Sequence, residues 1–263
     1  MAGREWTIAL NRHSSKKTVA SVLKKRDGKD PSQDMIDAIY SLIGYSVDQV
    51  KEDEVWKTMG ALEEAYDSLV RSEVIICPTT VGYTLIATDG GAKKMKAIKG
   101  REEKKACGIL AVPEVYRDVF GAEPPLAAGR QRHICGFLGK PTSIKEYIPR
   151  ASLGSKGEVG IWLDNGPVVT YLACRLWKEQ KEVIVATSCN IAGEGNATGD
   201  RYSLDRLNSM IREKVDLQVE IPHWETPQTD SDGRWLSAPI FNLEEKKFLR
   251  RGRDQELVED KLK

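Results

Sequence analysis

Lys99 and Arg101 stand two residues apart in the stretch IKGREEKKACGIL, 98–110, where four positive and two negative charges fill the first eight positions before the chain turns apolar. Lys and Arg beside a helix C-terminus complement the negative end of its macrodipole, so a solvated helix end is one reading. An anion site is the other: both cations leave the helix end together, and a second element supplies hydrogen-bond donors opposite them. The stretch VIVATSCNIAGEGN, 183–196, is a candidate for that second element. It brings Thr187, Ser188 and Asn190 to the C-terminal end of an apolar run, and Gly193 and Gly195 then let the backbone turn. Ligands of α/β sheets bind outside the carboxyl ends of strands, which makes these hydroxyls and this amide candidate contacts to phosphate or carboxylate. The same residue types are also ordinary turn formers.

Strands and helices must alternate to place these pieces. Periodicity predicts helices after Pro31–Ser32 as far as Gly44, over 51–71, over 90–99, after Pro113, over 168–180 and over 203–214. Short β-branched runs predict strands at 74–80, 107–112, 158–167, 182–188 and in VDLQVEI, with one more among the irregular residues 121–155. The alternation predicts an α/β domain over 61–243, preceded by an arm and helical extension, 1–60, and followed by a charged tail, 244–263.

Composition narrows the function classes. The 263 residues are 40% hydrophobic and 30% charged, as in a globular protein, and the net charge of +1 leaves attraction for phosphates to local clusters. No apolar run reaches the ~20 residues of a membrane span and the N-terminus has no signal-peptide pattern, so the expectation is a cytoplasmic protein. Cys77, Cys107, Cys135, Cys174 and Cys189 form no CxxC pair and read as reduced core residues. With three histidines and no acid motif beside any of them, neither a metal site nor a His-centred triad is expected.

Taken together, several segments resemble one family. IKGREEKK resembles the KxR segment of the YrdC-like domain, the threonylcarbamoyl-AMP synthase family, and TSCNIAGEGN resembles its STSANxSG segment. CPTTVGYTLIA, 77–87, is similar to the PTxTxYGL segment and closer still to the PTDSGYAL variant of the YciO branch. EVGIWLDNGPVVTYL resembles VGVRVPxHPxxxxL, while VDLQVEI and WLSAPIFNL resemble the closing DLxLDGG and PSTxVDL segments. The segments occur in family order across 61–243. The resemblance implies a YrdC-like twisted mixed sheet flanked by helices, and an ATP-dependent nucleotidyltransferase acting in tRNA modification. Its substrates would be ATP, bicarbonate and L-threonine or a related small amine, and its products a carbamoyl-adenylate and pyrophosphate. It further implies that Lys99 and Arg101 neutralise the triphosphate, with a magnesium ion (Mg2+) bridging phosphates; that Ser188, Asn190 and Thr187 complete the nucleotide site; and that Thr79 or Thr80 and Tyr83 face the amino-acid acceptor.

Four departures fall mostly on the acceptor side. Trp162 in GIWLD stands where the family segment has arginine, and Ala238 and Pro239 replace a Ser-Thr pair. LGKPTSI keeps little of the family's PGPxT, and in PTTVGYTL the glycine precedes Tyr83 while Val81 takes the place of the second threonine. If Trp162 lines the acceptor pocket, the acceptor should be bulkier or less anionic than threonine; the alternative is an indole packed on the sheet's outer face. The non-enzymatic alternative is a YrdC-like module binding double-stranded RNA or tRNA through Lys93–Lys94, Lys104–Lys105 and Arg130–Arg132–His133. A further alternative is a structural module built from the N-terminal helices.

Overall fold

A computed structural model describes residues 4–7, 52–125, 135–163, 165–190, 204–220, 236–253 and 255–262. The helix expected after Pro31 and the Arg130–Arg132–His133 cluster lie outside them. The described strands are β1 (Arg4–Thr7), β2 (Ile75–Thr79), β3 (Gly82–Ala87), β4 (Gly108–Leu110), β5 (Cys135–Gly139), β6 (Val159–Leu163), β7 (Ile184–Ser188), β8 (Leu217–Glu220), β9 (Ile240–Asn242) and β10 (Lys247–Arg250). The helices are α1 (Glu52–Val70), α2 (Asp89–Lys99), α3 (Pro113–Phe120), α4 (Pro167–Gln180), α5 (Ser209–Arg212) and α6 (Gln255–Leu262).

All ten strands join one mixed sheet in the order β1-β8-β2-β3-β7-β4-β6-β5-β9-β10. The pairs β1–β8, β2–β8, β4–β6 and β5–β9 are parallel and the others antiparallel. Most strands are buried along nearly their whole length, which explains why they read as continuous apolar runs and not as polar alternation. Helices α1 and α4 pack together with Leu62, Leu69, Leu172 and Leu176 fully buried between them and the sheet. Arg175 joins the pair: its guanidinium lies 3.8 Å from the centre of the Tyr66 ring and donates to Glu63 at 2.7 Å. A second apolar cluster, with Met95, Ile98, Leu85, Val185 and Ile211, sits under α2.

Three expectations need correction. The boundary expected at 60/61 falls inside α1, whose Ala61, Leu62 and Ala65 are fully buried, so α1 is part of the sheet domain. The segment expected as a tail from 244 supplies β10, paired with β9, and α6, whose Val258 is buried in the main core. Of its apolar residues, Phe248, Val258 and Leu262 dock while Leu249 stays exposed. The helix expected over 203–214 is interrupted: the Asn208 side chain accepts from the Met210 amide as an N-cap and restarts the chain as the short α5.

Candidate functional site

Side chains two apart share a sheet face, and the strand register extends that face from strand to strand. Thr79 pairs with Gly82, Thr84 with Ser188, Gly108 with Ala186, and Leu110 with Trp162. These residues form one continuous face, and all of them line a cleft of about 320 Å3. Arg101 and Ala106 of the loop after α2, Ser237 and Ala238 before β9, Ile240 and Arg250 also line it. Two arginines and several hydroxyls line this space, and no Asp or Glu is among its described lining residues. A concave site with cations and hydroxyls on its described walls favours an anion.

The spacing of Lys99 and Arg101 follows from how α2 ends. Gly100 takes the left-handed conformation at φ 65°, and the amides of Gly100 and Arg101 return to the carbonyls of Ala97 and Lys96. Lys99 is therefore the last helical residue and Arg101 the first beyond the cap, and the two cations diverge. Lys99 is buried, with 2% of its surface exposed, and donates to the Ser188 carbonyl at 2.5 Å, to Ser188 Oγ at 2.8 Å and to Asn190 Oδ1 at 3.1 Å. Ser188 Oγ in turn donates to Asn190 Oδ1 at 2.5 Å. Lys99 itself does not line the cleft; it holds from behind the serine that does. Arg101 does line it, its guanidinium braced by the Ala106 carbonyl at 2.6 Å. Cys107, buried beside Lys96, Lys99 and Arg101, stays a thiol: burial pushes its pKa up more than the three cations pull it down.

On the opposite side of the register the expected residues separate. Thr79 lines the cleft, its hydroxyl donating to the Gly82 carbonyl at 2.6 Å. Thr80 is buried off the cleft wall, and its hydroxyl meets no hydrogen-bond partner among the described residues. Tyr83 borders the cleft, yet strand alternation sends its ring into the apolar cluster under α2. Thr187 also borders it, with its carbonyl taking the Thr84 hydroxyl at 2.8 Å. Asn190 reaches the site through Ser188 and Lys99.

Trp162 lies on the cleft face, not on the outer face of the sheet. A Cβ placed at Gly108, Gly136 or Gly160 would come within 2.5, 2.4 or 2.7 Å of its ring. The indole thus lies flat over the bare backbone of three adjacent strands, and it forms part of the cleft floor. Sequence reasoning missed Thr84, Ser237, Ile240 and Arg250. Thr84 and Ile240 fall inside segments that carry the family resemblance, whereas Arg250 lies in the stretch read as a tail.

The basic clusters expected to follow an RNA backbone are partly spent within the molecule. Lys94 bonds Asp216 at 2.6 Å and Lys105 pairs with Glu102 at 3.7 Å. Among the described residues no group of acids, cysteines or histidines is placed to hold a metal ion, and no helix is long and apolar enough to cross a membrane.

The sequence matches no family model and no curated protein. Solved structures do match. A hypothetical protein of Streptococcus mutans superposes with a TM-score of 0.58 at 19% identity, over 76% of this chain and 90% of its own. E. coli YciO superposes with 0.54 at 12% identity, over 95% and 96%. P. abyssi Sua5 complexed with L-threonine superposes with 0.50 at 16% identity, over 81% of this chain and 58% of its own, so this chain spans a little over half of that protein. A ten-stranded mixed sheet that superposes along nearly the whole length of YciO, and along the corresponding part of Sua5, has the fold of the YrdC-like domain.

Proposed function

We propose that this chain is an ATP-dependent nucleotidyltransferase that forms a carbamoyl-adenylate from ATP, bicarbonate and a small amino-acid-like acceptor. The observation that carries the reading is the cleft whose described lining holds Arg101, Arg250 and the Ser188 hydroxyl, with the Lys99 ammonium behind that hydroxyl. In the reaction the acceptor nitrogen forms a bond to the carbon of bicarbonate with loss of water, and the resulting carbamate oxygen attacks the α-phosphorus of ATP. The bond from that phosphorus to the bridging oxygen breaks and pyrophosphate leaves with the electron pair. Little of this requires covalent help; positioning and charge stabilisation dominate such transfers. Among the described lining residues, charge compensation for the phosphates falls to the arginines.

Trp162 shapes the acceptor. An indole floor where the resemblance places a guanidinium supplies apolar area in place of a charge, which favours an acceptor larger than threonine. The RNA-binding alternative draws less support, since Lys94 and Lys105 are already paired with acids. The test is incubation of the purified chain with ATP and bicarbonate against a panel of amino acids and small amines, with pyrophosphate and the adenylate mass as readouts. Pyrophosphate release dependent on bicarbonate and on one acceptor class supports the reading. Its absence across the panel refutes it.

A further inference from the structure

The indole of Trp162 rests on main chain and not on side chains. A Cβ at Gly108, Gly136 or Gly160 would stand 2.5, 2.4 or 2.7 Å from the ring, so strand positions on β4, β5 and β6 carry no side chain where the ring lies. Glycine packs nothing within a strand and weakens it, and such positions mark a close approach by a ligand or another group. Here that group is the indole, whose lower face is covered by the three strands and whose upper face looks into the cleft. Trp162 is accordingly only partly buried. An indole is among the largest apolar groups a core can bury, and this one leaves a face open.

The strand register supplies side walls. Leu110 pairs with Trp162 on one side, Gly136 pairs with it on the other, and Ile240 pairs with Gly136 beyond. Leu110 and Ile240 both line the cleft, and three strand spacings, roughly 14 Å, separate their strands with the flat indole between. The space above the indole is thus a slot with a planar π floor and apolar edges, while Ser188 stands on β7, on the far side of β4. A planar ring laid on that floor gains stacking energy beyond its buried area, which a saturated group of the same size does not.

We infer that the open face of Trp162 is a stacking platform for one planar aromatic ring of the ligand, supplied either by the acceptor's side chain or by the base of the nucleotide. The inference rests on the proposed reaction for its choice of probes but is read out by binding alone. Full-length protein is titrated calorimetrically with ATP and with inorganic triphosphate, and then, at saturating ATP, with phenylalanine, tyrosine, tryptophan and cyclohexylalanine, whose ring is similar in size but saturated. If the acceptor supplies the ring, wild type should bind at least one aromatic amino acid about 3- to 10-fold more tightly than cyclohexylalanine. Trp162→Leu should abolish that ratio and leave ATP affinity unchanged. If the base supplies it, Trp162→Leu should weaken ATP by about 3- to 10-fold or more and leave inorganic triphosphate unchanged. Trp162→Phe, which keeps a smaller flat ring, should retain part of whichever effect is seen. The inference is overturned if wild type shows no aromatic preference and Trp162→Leu leaves ATP unchanged, if the preference survives Trp162→Leu, or if that variant weakens ATP and inorganic triphosphate alike. A Trp162-dependent preference in a protein that releases no pyrophosphate leaves the platform standing and the reaction fallen; release of pyrophosphate with neither effect does the reverse.

Discussion

Lys99 and Arg101 read alike in the sequence, and substituting each by Met should separate them. Lys99 is 2% exposed and its ammonium serves three acceptors, so Lys99→Met leaves the Ser188 carbonyl, Ser188 Oγ and Asn190 Oδ1 without the donor that joins them. Hydrogen bonds to a charged group contribute roughly 1.5–3 kcal/mol, and stranding a buried acceptor costs about 1–3 kcal/mol. Relief from burying an ammonium offsets part of this, and a net loss of about 3 kcal/mol is the working figure. At about 2–4 °C per kcal/mol for a chain of this size, the midpoint should drop by roughly 6–12 °C. Arg101 is only partly buried and its bonds go to loop carbonyls, so Arg101→Met should shift the midpoint by no more than about 2 °C. Both variants should weaken ATP, Arg101→Met by direct loss of a phosphate partner and Lys99→Met because Ser188 loses its anchor. Thermal melts by circular dichroism, with ATP titrations below the lower midpoint, measure both quantities. Equal midpoints for the two variants, or unchanged ATP affinity in both, would refute the division of labour.

Gly136→Ala should destabilise by roughly 1–3 kcal/mol, as overpacking does, because its Cβ would stand 2.4 Å from the Trp162 ring; adding Trp162→Ala should recover most of that loss, and strict additivity in urea unfolding would contradict the stacked floor. Asp118 is held below its ordinary range mainly by the Tyr147 hydroxyl, which donates at 2.5 Å, with help from Lys145. A depressed carboxylate stabilises above its unfolded pKa near 4, and that contribution is lost as pH falls through the lower folded value. Tyr147→Phe should therefore lower the thermal midpoint at pH 7, with the gap to wild type shrinking near pH 2; a gap that is constant with pH would show packing alone.

The helices and central strands were legible because their causes are local. Helical spacing in α1 and α4, Pro113 opening α3 and Gly100 ending α2 act within a few residues of one another. The Lys99–Ser188 contact was reachable through two segments that carry the resemblance, although 89 residues separate them. The side of the sheet each residue faces was not reachable. A buried strand is apolar on both faces, so nothing local reveals that Ser188 looks into the cleft while the Tyr83 ring looks away. Arg250 was hidden for another reason: its strand is short, charged and mostly exposed, and only pairing with β9 gives it a place.

The bond between Arg253 and the Thr80 carbonyl joins residues 173 apart in the chain and ties the segment after β10 to the turn between β2 and β3. Closing so long a loop brings its reward only after the strands between have assembled, so this contact belongs to the last stage of folding. The tie that crosses from the segment after β10 to the β2–β3 turn thus comes together only once the sheet it spans is already in place.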